Sequence, residues 1–209
     1  VNSLFNTLTF VILAFFGALV LLPIWWMFRS SLMTNAELYA YPPSFFPSRW
    51  LFSNYNATLA FFPFFRYLKN TLTIIVPSVI GGTITATMGG YAFARLRFKG
   101  KDQLFLLCVG SMLLPTMVTL LPLYIMWTRL LGVYDSYLPL VLPHFCGGGA
   151  FNIFLIRQFI KSIPRELDEA ATIDGASPMR ILVSIIVPAI RSAMIVVALL
   201  LFIMLWNDL

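Results

Sequence analysis

Residues 161–191 read KSIPRELDEAATIDGASPMRILVSIIVPAIR, and the punctuation of this stretch organises the rest of the chain. Ser162 and Pro164 predict a helix start, because proline is tolerated in a first turn, where its missing N–H has no helical partner to lose. Glu166 and Asp168 follow in the first turns, where carboxylates favour the positive end of the helix dipole. Gly175 ends that helix, and Ser177 caps a second one with Pro178 at its first position, leading into 181–188. Four of the eight acids, Glu166, Asp168, Glu169 and Asp174, lie within ten residues. An anionic membrane surface repels such a helix, so a basic protein partner suits it better. Ala170 and Ala171 present almost no side chain and let a helix seat closely in a groove. A solvated connector is the competing reading of the same residues.

On both sides of this segment the chain becomes apolar. Of the 209 residues 60% are hydrophobic and 11% charged, with a mean hydropathy of +0.88, whereas soluble domains carry about 25% charged residues. The bilayer is therefore the solvent. Phe 20, Trp 5 and Tyr 8 exclude a disordered chain. A membrane-crossing helix needs about 20 mostly apolar residues. Four stretches qualify, roughly 8–28, 70–94, 103–126 and 137–156, and a fifth runs over 192–209 with Trp206, Asn207 and Asp208 as an interfacial exit. The prediction is an all-α polytopic membrane protein. The first span has no basic region before it and no small-residue cleavage site, so it reads as an anchor rather than a signal peptide.

With a cytoplasmic N-terminus, the inner loops hold nine basic residues, Arg95, Arg97, Lys99, Lys101, Arg157, Lys161, Arg165, Arg180 and Arg191. The outer side holds five, Arg29, Arg49, Arg66, Lys69 and Arg129, so the bias places the N-terminus inside. The net charge of +6 then reads as a topogenic signal and not as a nucleic-acid surface. Residues 29–69 become an external segment, packed and irregular, with short helices. In the second span Gly82, Ala86, Gly90 and Ala94 recur every fourth residue, a stripe that lets another backbone approach. Pro115 and Pro122 interrupt the third span, and Pro139, Pro143 and Gly147–Gly149 the fourth. Such breaks are tolerated in lipid only where protein or a water-filled cavity satisfies the freed backbone groups, which makes these two spans the candidates for lining a pathway.

Catalytic chemistry is not written here. The sequence holds no Ser/His/Asp set, paired-Cys zinc pattern, metal site or Gly-rich phosphate loop, and no cofactor is expected. Cys108 and Cys146 read as small packing residues. Before the exit at Asp208, His144 is the only Asp, Glu or His of these spans and reads as a hydrogen-bonded packing residue, which disfavours an internal proton relay. Thr119, Tyr124 and Asn152 are polar groups able to face a path, and the substrate is not legible.

The spacing of the acidic segment carries a resemblance. Glu169-Ala170-Ala171, three residues, Gly175, nine residues, then Ile185-Ile186-Val187-Pro188 resembles the EAA signature of ABC importer permeases, E-A-A-x3-G-x9-I-x-L-P, with Val187 for the usual Leu. YAFARLRFKG at 91–100, the stretch 115–124, LIRQFIKSIPRELDEAATIDGAS at 155–177 and Trp206-Asn207-Asp208 are similar to the carbohydrate, maltose-permease-like branch, so the likeness covers nearly the whole chain. It implies a single domain over 1–209 with the type I ABC importer transmembrane (binding-protein-dependent permease, MetI-like) fold, and a cytoplasmic coupling loop at 161–191. Six spans are usual there, so with about five before Leu209 the chain is expected to be truncated at its C-terminus. The resemblance implies an ATP-driven sugar importer of the bacterial inner (plasma) membrane. Glu169, Ala170, Ala171 and Gly175, with Asp168 and Asp174 beside them, would dock on cytoplasmic ABC ATPase subunits that hydrolyse ATP in place of this chain. A second permease subunit, different or identical, and an extracytoplasmic solute-binding protein complete the implied assembly. The rival from another class is an ATP-independent channel or facilitator for a small polar solute.

Overall fold

The computed structural model describes residues 2–208, and all their regular structure is helical. The chain divides into two compact units, Val1–Arg66 and Tyr67–Leu209. In the first, α1 (Asn2–Ser31) is apolar and exposed along nearly its whole length, the surface of a helix whose surroundings are lipid. Its polar end turns into a short irregular segment. Arg29 is buried, stacked 3.7 Å over the Trp26 ring. Thr34 caps α2 (Asn35–Leu38) in a reciprocal box with Glu37, which satisfies two otherwise orphaned N–H groups. Glu37 also accepts from the backbone N–H of Ser48, at 2.9 Å, and from its hydroxyl. Asn54 of α3 (Ser53–Phe61) donates to the carbonyls of Ser31 and Met33. The irregular segment with short helices expected over 29–69 is thus tied by side-chain hydrogen bonds to the end of α1.

The second unit is built on α4 (Phe64–Arg95). After the basic turn come α5 (Lys101–Gly110) and α6 (Thr116–Ile125), then α7 (Leu138–Val141) and α8 (Ala150–Lys161). The small-residue stripe of α4 is buried at Gly82, Ala86, Gly90 and Ala94. A methyl group on Gly82 would lie 2.9 Å from Leu201 Cδ1 and 3.3 Å from Gly148 Cα; on Gly90 it would lie 2.6 Å from Ile156 Cγ2. The segment after α8 supplies α9 (Glu166–Ile173), α10 (Pro178–Ile181) and α11 (Val187–Ala189) before α12 (Arg191–Asp208). Ala193, Val197, Leu201 and Leu205 of α12 repeat every fourth residue and are buried, so a narrow stripe faces the bundle and the remaining faces are left for lipid. One core joins Ala86, Tyr91 and Ala94 to Ile156, Ile160, Ile186, Val197 and Leu201.

Among the described residues four helices are long and apolar enough to cross a membrane: Phe5–Ser31, Phe64–Arg95, Leu138–Lys161 and Arg191–Asp208. A fifth crossing exists if Lys101–Leu113 and Met117–Leu130 count as one, but the two meet at 107°. The third span expected over 103–126, interrupted at its prolines, is therefore a sharply bent pair. Pro115 causes the break: it removes an N–H and pushes Leu114 out of the helical region, to φ −77°, ψ 121°. The fourth span breaks at Gly147, Gly148 and Gly149, with φ of +86°, +58° and +109°, a run that glycine alone adopts at low cost. Its freed groups are satisfied from within the protein. Gly147 N–H donates to Thr85 Oγ1 at 3.0 Å, and Asn152 Nδ2 donates to the Gly148 carbonyl at 2.7 Å. Asn152 is buried in doing so. Cys146, expected to pack, is exposed at this break.

Two predictions follow from this packing. Gly90→Ala places a methyl against Ile156 and 3.0 Å from the Arg157 backbone nitrogen; the overpacking is expected to cost about 1–3 kcal/mol. Gly89→Ala meets only Ile153, at 3.5 Å or more, and gains up to about 1 kcal/mol in helix propensity. Thermal unfolding in detergent should therefore move in opposite directions for the two neighbours. Separately, hydrogen bonds led by the Ser48 hydroxyl lower the Glu37 pKa from 4.5 to about 2. A depressed carboxylate pKa gives stability that is fully present above the unfolded value and lost as pH falls through the folded one. Amide-exchange protection at Ser48 should hold above pH 4.5, decline toward pH 2, and lose that dependence in Glu37→Gln.

Candidate functional site

The acidic segment begins two residues later than its prolines suggest. Ser162 does not cap α9; its hydroxyl donates back to the Phe159 carbonyl at 2.7 Å, closing the end of α8. The helix starts at Glu166, with Arg165 O accepting from the N–H groups of Asp168 and Glu169 at 2.9 and 3.0 Å. Glu166, Asp168 and Glu169 occupy its first turn, where the helix dipole favours them. Gly175, at φ +79°, reverses the chain. The reversal is locked by Ala176 N–H donating to the Ala171 carbonyl at 2.9 Å, and Ser177 Oγ caps α10 by accepting from Arg180 N–H.

Helical periodicity divides α9 into two faces. Glu166, Glu169, Ala170 and Ile173, spaced i, i+3, i+4 and i+7, are exposed, Ile173 at 87%. Asp168 and Ala171 face the bundle: Ala171 packs against the core, and Asp168 Oδ2 lies 2.7 Å from Arg95 Nε. That Nε–H is not aligned on the carboxylate, so the pair is a charge contact more than a directed hydrogen bond. Arg95 Nη2 also donates to the Ile163 carbonyl at 2.7 Å. A single guanidinium thus ties the end of α4 to both ends of the turn that launches α9. Asp174 and Gly175 lie exposed at the tip.

Of the six residues singled out in the sequence, Glu169, Ala170, Asp174 and Gly175 share the outward surface, whereas Asp168 and Ala171 hold the helix down. Sequence reasoning missed Ile173 and Leu167, exposed apolar side chains beside the acids. Reading the i, i+3, i+4, i+7 series through Glu169 would have found Ile173. Arg95 reads in the sequence as a topogenic charge, and nothing in its sequence neighbourhood points to a partner 73 residues on.

Past α10 the helix widens into a π turn at Leu182–Ile186, with Val187 N–H bonded to the Leu182 carbonyl. Pro188 explains it: its ring would clash with the carbonyl four residues back in a regular α-helix. At the other end of the long helices lies a cavity of about 850 Å³ whose wall includes Tyr124, His144 and Asp208. His144, read as a packing residue, thus lines open space. Thr119 is not on that wall, and Asn152 serves the broken backbone of the fourth span.

Residues 78–209 match the family described as binding-protein-dependent transport system inner membrane component. The chain belongs to that family. It is 37% identical over 140 residues to the osmoprotective compounds uptake permease protein GgtD of Synechocystis sp. (strain ATCC 27184 / PCC 6803 / Kazusa), covering 67% of this chain and 47% of that one. Over 193 residues it is 30% identical to the galactooligosaccharides transport system permease protein GanQ of Bacillus subtilis (strain 168), covering 91% and 67%. The crystal structure of a bacterial ABC transporter involved in the import of the acidic polysaccharide alginate superimposes with a TM-score of 0.82 at 28% identity, over 99% of this chain and 72% of that one. The chain thus spans about half to two thirds of the length of these two curated relatives. With the fold and the helices described above, these matches make it a multi-pass permease of the ABC importer class, with the binding-protein-dependent permease fold expected from the sequence.

Removing the guanidinium checks how α9 is held. Arg95→Ala leaves the Asp168 carboxylate and the Ile163 carbonyl without their partner, at an expected cost of about 1–3 kcal/mol. Limited proteolysis should then cut within 163–176 sooner than in the parent protein. Arg97→Ala, a neighbouring charge with no such contact to α9 among the described residues, should leave the digestion pattern as it was.

Proposed function

We propose that this chain is the permease subunit of an ATP-driven importer of a saccharide, and that α9 with its glycine turn is the lever by which a cytoplasmic ATPase subunit moves it. The observation that carries the proposal is the exposed series Glu166, Glu169, Ala170 and Ile173. An apolar anchor beside acids, with a small residue allowing close approach, suits an amphipathic groove with basic walls. Asp168 and Ala171 grip the bundle while Glu169, Ala170 and the tip residues Asp174 and Gly175 face the partner, so displacement of α9 is passed to α4 through Arg95. ATP hydrolysis belongs to the partner subunits in this reading. The nine-to-five distribution of basic residues supports a cytoplasmic N-terminus, with α9 inside and the cavity in the outer half of the membrane. A second permease subunit and an extracytoplasmic solute-binding protein complete the assembly. The substrates named for two of the relatives differ, galactooligosaccharides and an acidic polysaccharide, and a saccharide is what those two have in common.

The test is purification of the full-length protein from its native membrane in mild detergent, with an ATPase assay on the eluate. A nucleotide-binding subunit should accompany the parent protein and be lost when Glu169→Lys and Gly175→Leu are combined. A protein that carries no ATPase and still moves solute in liposomes would instead be a facilitator.

A further inference from the structure

The cavity at the end remote from α9 has a composition of its own. Ile74 lies near the start of α4 and Asp208 at the end of α12, 17 residues beyond Arg191, which places the two ends of α12 about 26 Å apart. Its volume of about 850 Å³ falls within the range of ligand pockets, about 300–1,000 Å³. Three rings, Tyr124, Trp127 and Tyr134, stand in its wall among aliphatic side chains. Five polar side chains join them, Thr128, Asp135, Ser136, His144 and Asp208, and none of the described residues lining the cavity is lysine or arginine.

Two details show that this wall is built. The Trp127 indole N–H is buried and has no partner among the described residues, a costly arrangement that the packing around it has to hold. Asp135 holds a left-handed backbone, φ +54°, a conformation aspartate adopts more readily than most residues other than glycine. The loop around it is tied by its backbone. Gly132 also turns left-handed, Val133 N–H donates to the Trp127 carbonyl at 2.8 Å, and Leu131 N–H to the Met126 carbonyl at 3.0 Å. The loop is wound back onto the end of its helix, and it brings a carboxylate to the cavity wall.

We propose that this cavity is a saccharide station that accepts uncharged sugar rings and rejects those bearing carboxylates; it rests on the permease reading and names the substrate class within it. Aromatic rings offer flat apolar faces to the C–H surface of a sugar, and the carboxylates of Asp135 and Asp208 accept from its hydroxyls. A charged acceptor makes a stronger bond than a neutral one. The same two carboxylates, with no described lysine or arginine beside them in the wall, repel a uronate, and a wall of one sign acts in this way in selective pores.

The test uses the full-length permease purified with its ATPase subunits, and measures binding of four trisaccharides by quenching of Trp127 fluorescence, assigned by its loss in Trp127→Phe. The neutral probes are maltotriose, galactotriose and cellotriose, and the acidic probe is trigalacturonate. At least one neutral probe should bind, and trigalacturonate should not. In Asp135→Asn/Asp208→Asn the neutral affinity should fall roughly tenfold, as expected for a lost charged acceptor, and the discrimination against trigalacturonate should shrink. Equal binding of trigalacturonate, no binding of any probe, or neutral affinity unchanged in the Asp135→Asn/Asp208→Asn variant overturns the proposal. Recovery of the ATPase with the complex is scored separately, so the station can fail while the permease reading stands.

Discussion

At Gly82 and Gly90 a neighbouring helix comes so near α4 that a single methyl group would collide with it, and this closeness is the constraint on which the larger unit depends. Lipid tails are as apolar as leucine side chains, so helices gain little by hiding from them and must be held by packing. The stripe supplies it, because small residues let the backbone at Gly148 and Arg157 come up to α4 and let Leu201 of α12 reach in beside Gly82. The same closeness makes the broken fourth span possible. Gly147 can leave helical geometry because Thr85, on the adjoining face of α4, is near enough to accept its N–H. A wider gap would strand that group in an apolar interior, at a cost of the order of several kcal/mol.

Much of this was written in the sequence because local chemistry enforces it. Prolines and glycines announced the breaks at 115 and 147–149, the four-residue spacing announced the stripe, and Gly175 and Ser177 announced the turn. What stayed hidden is tertiary. No local rule says that Asp168 turns inward to Arg95 while Glu169 turns out, since the choice is set by which face of α9 meets α4. Nor could the sharp angle in the third span be read, because proline breaks a helix without saying where the next one goes. Ser162 misled for a related reason: a serine between two helices can serve the end of one or the start of the next, and here it serves the first.

The cavity was illegible for another reason. Tyr124, Trp127, Asp135, His144 and Asp208 come from three separate stretches, and each looks ordinary where it stands. A lone histidine in an apolar run reads as packing, and an aspartate after a span reads as an exit from the membrane. Only convergence gives them a common role. The two polar centres of the unit also differ in how they are made. The acidic face near Gly175 is one contiguous helix that a local pattern can specify, whereas the cavity is assembled by distant segments.

The π turn before Pro188 bears on the angular phase between α9 and α12. A π turn holds one residue more than the α-helical turn it replaces, and one residue of helix is a rotation of about 100°. The wide turn absorbs that extra residue; a residue added or removed with no such turn to absorb it would swing the chain on one side of Leu182–Ile186 by about 100° against the other. Ile181, Leu182 and Ile186 are buried in this stretch, and the number of residues decides which way they point. That is a physical reason for a signature with a rigid count of nine between Gly175 and Ile185: it works as an index, setting the direction in which the helix faces rather than the strength with which it binds.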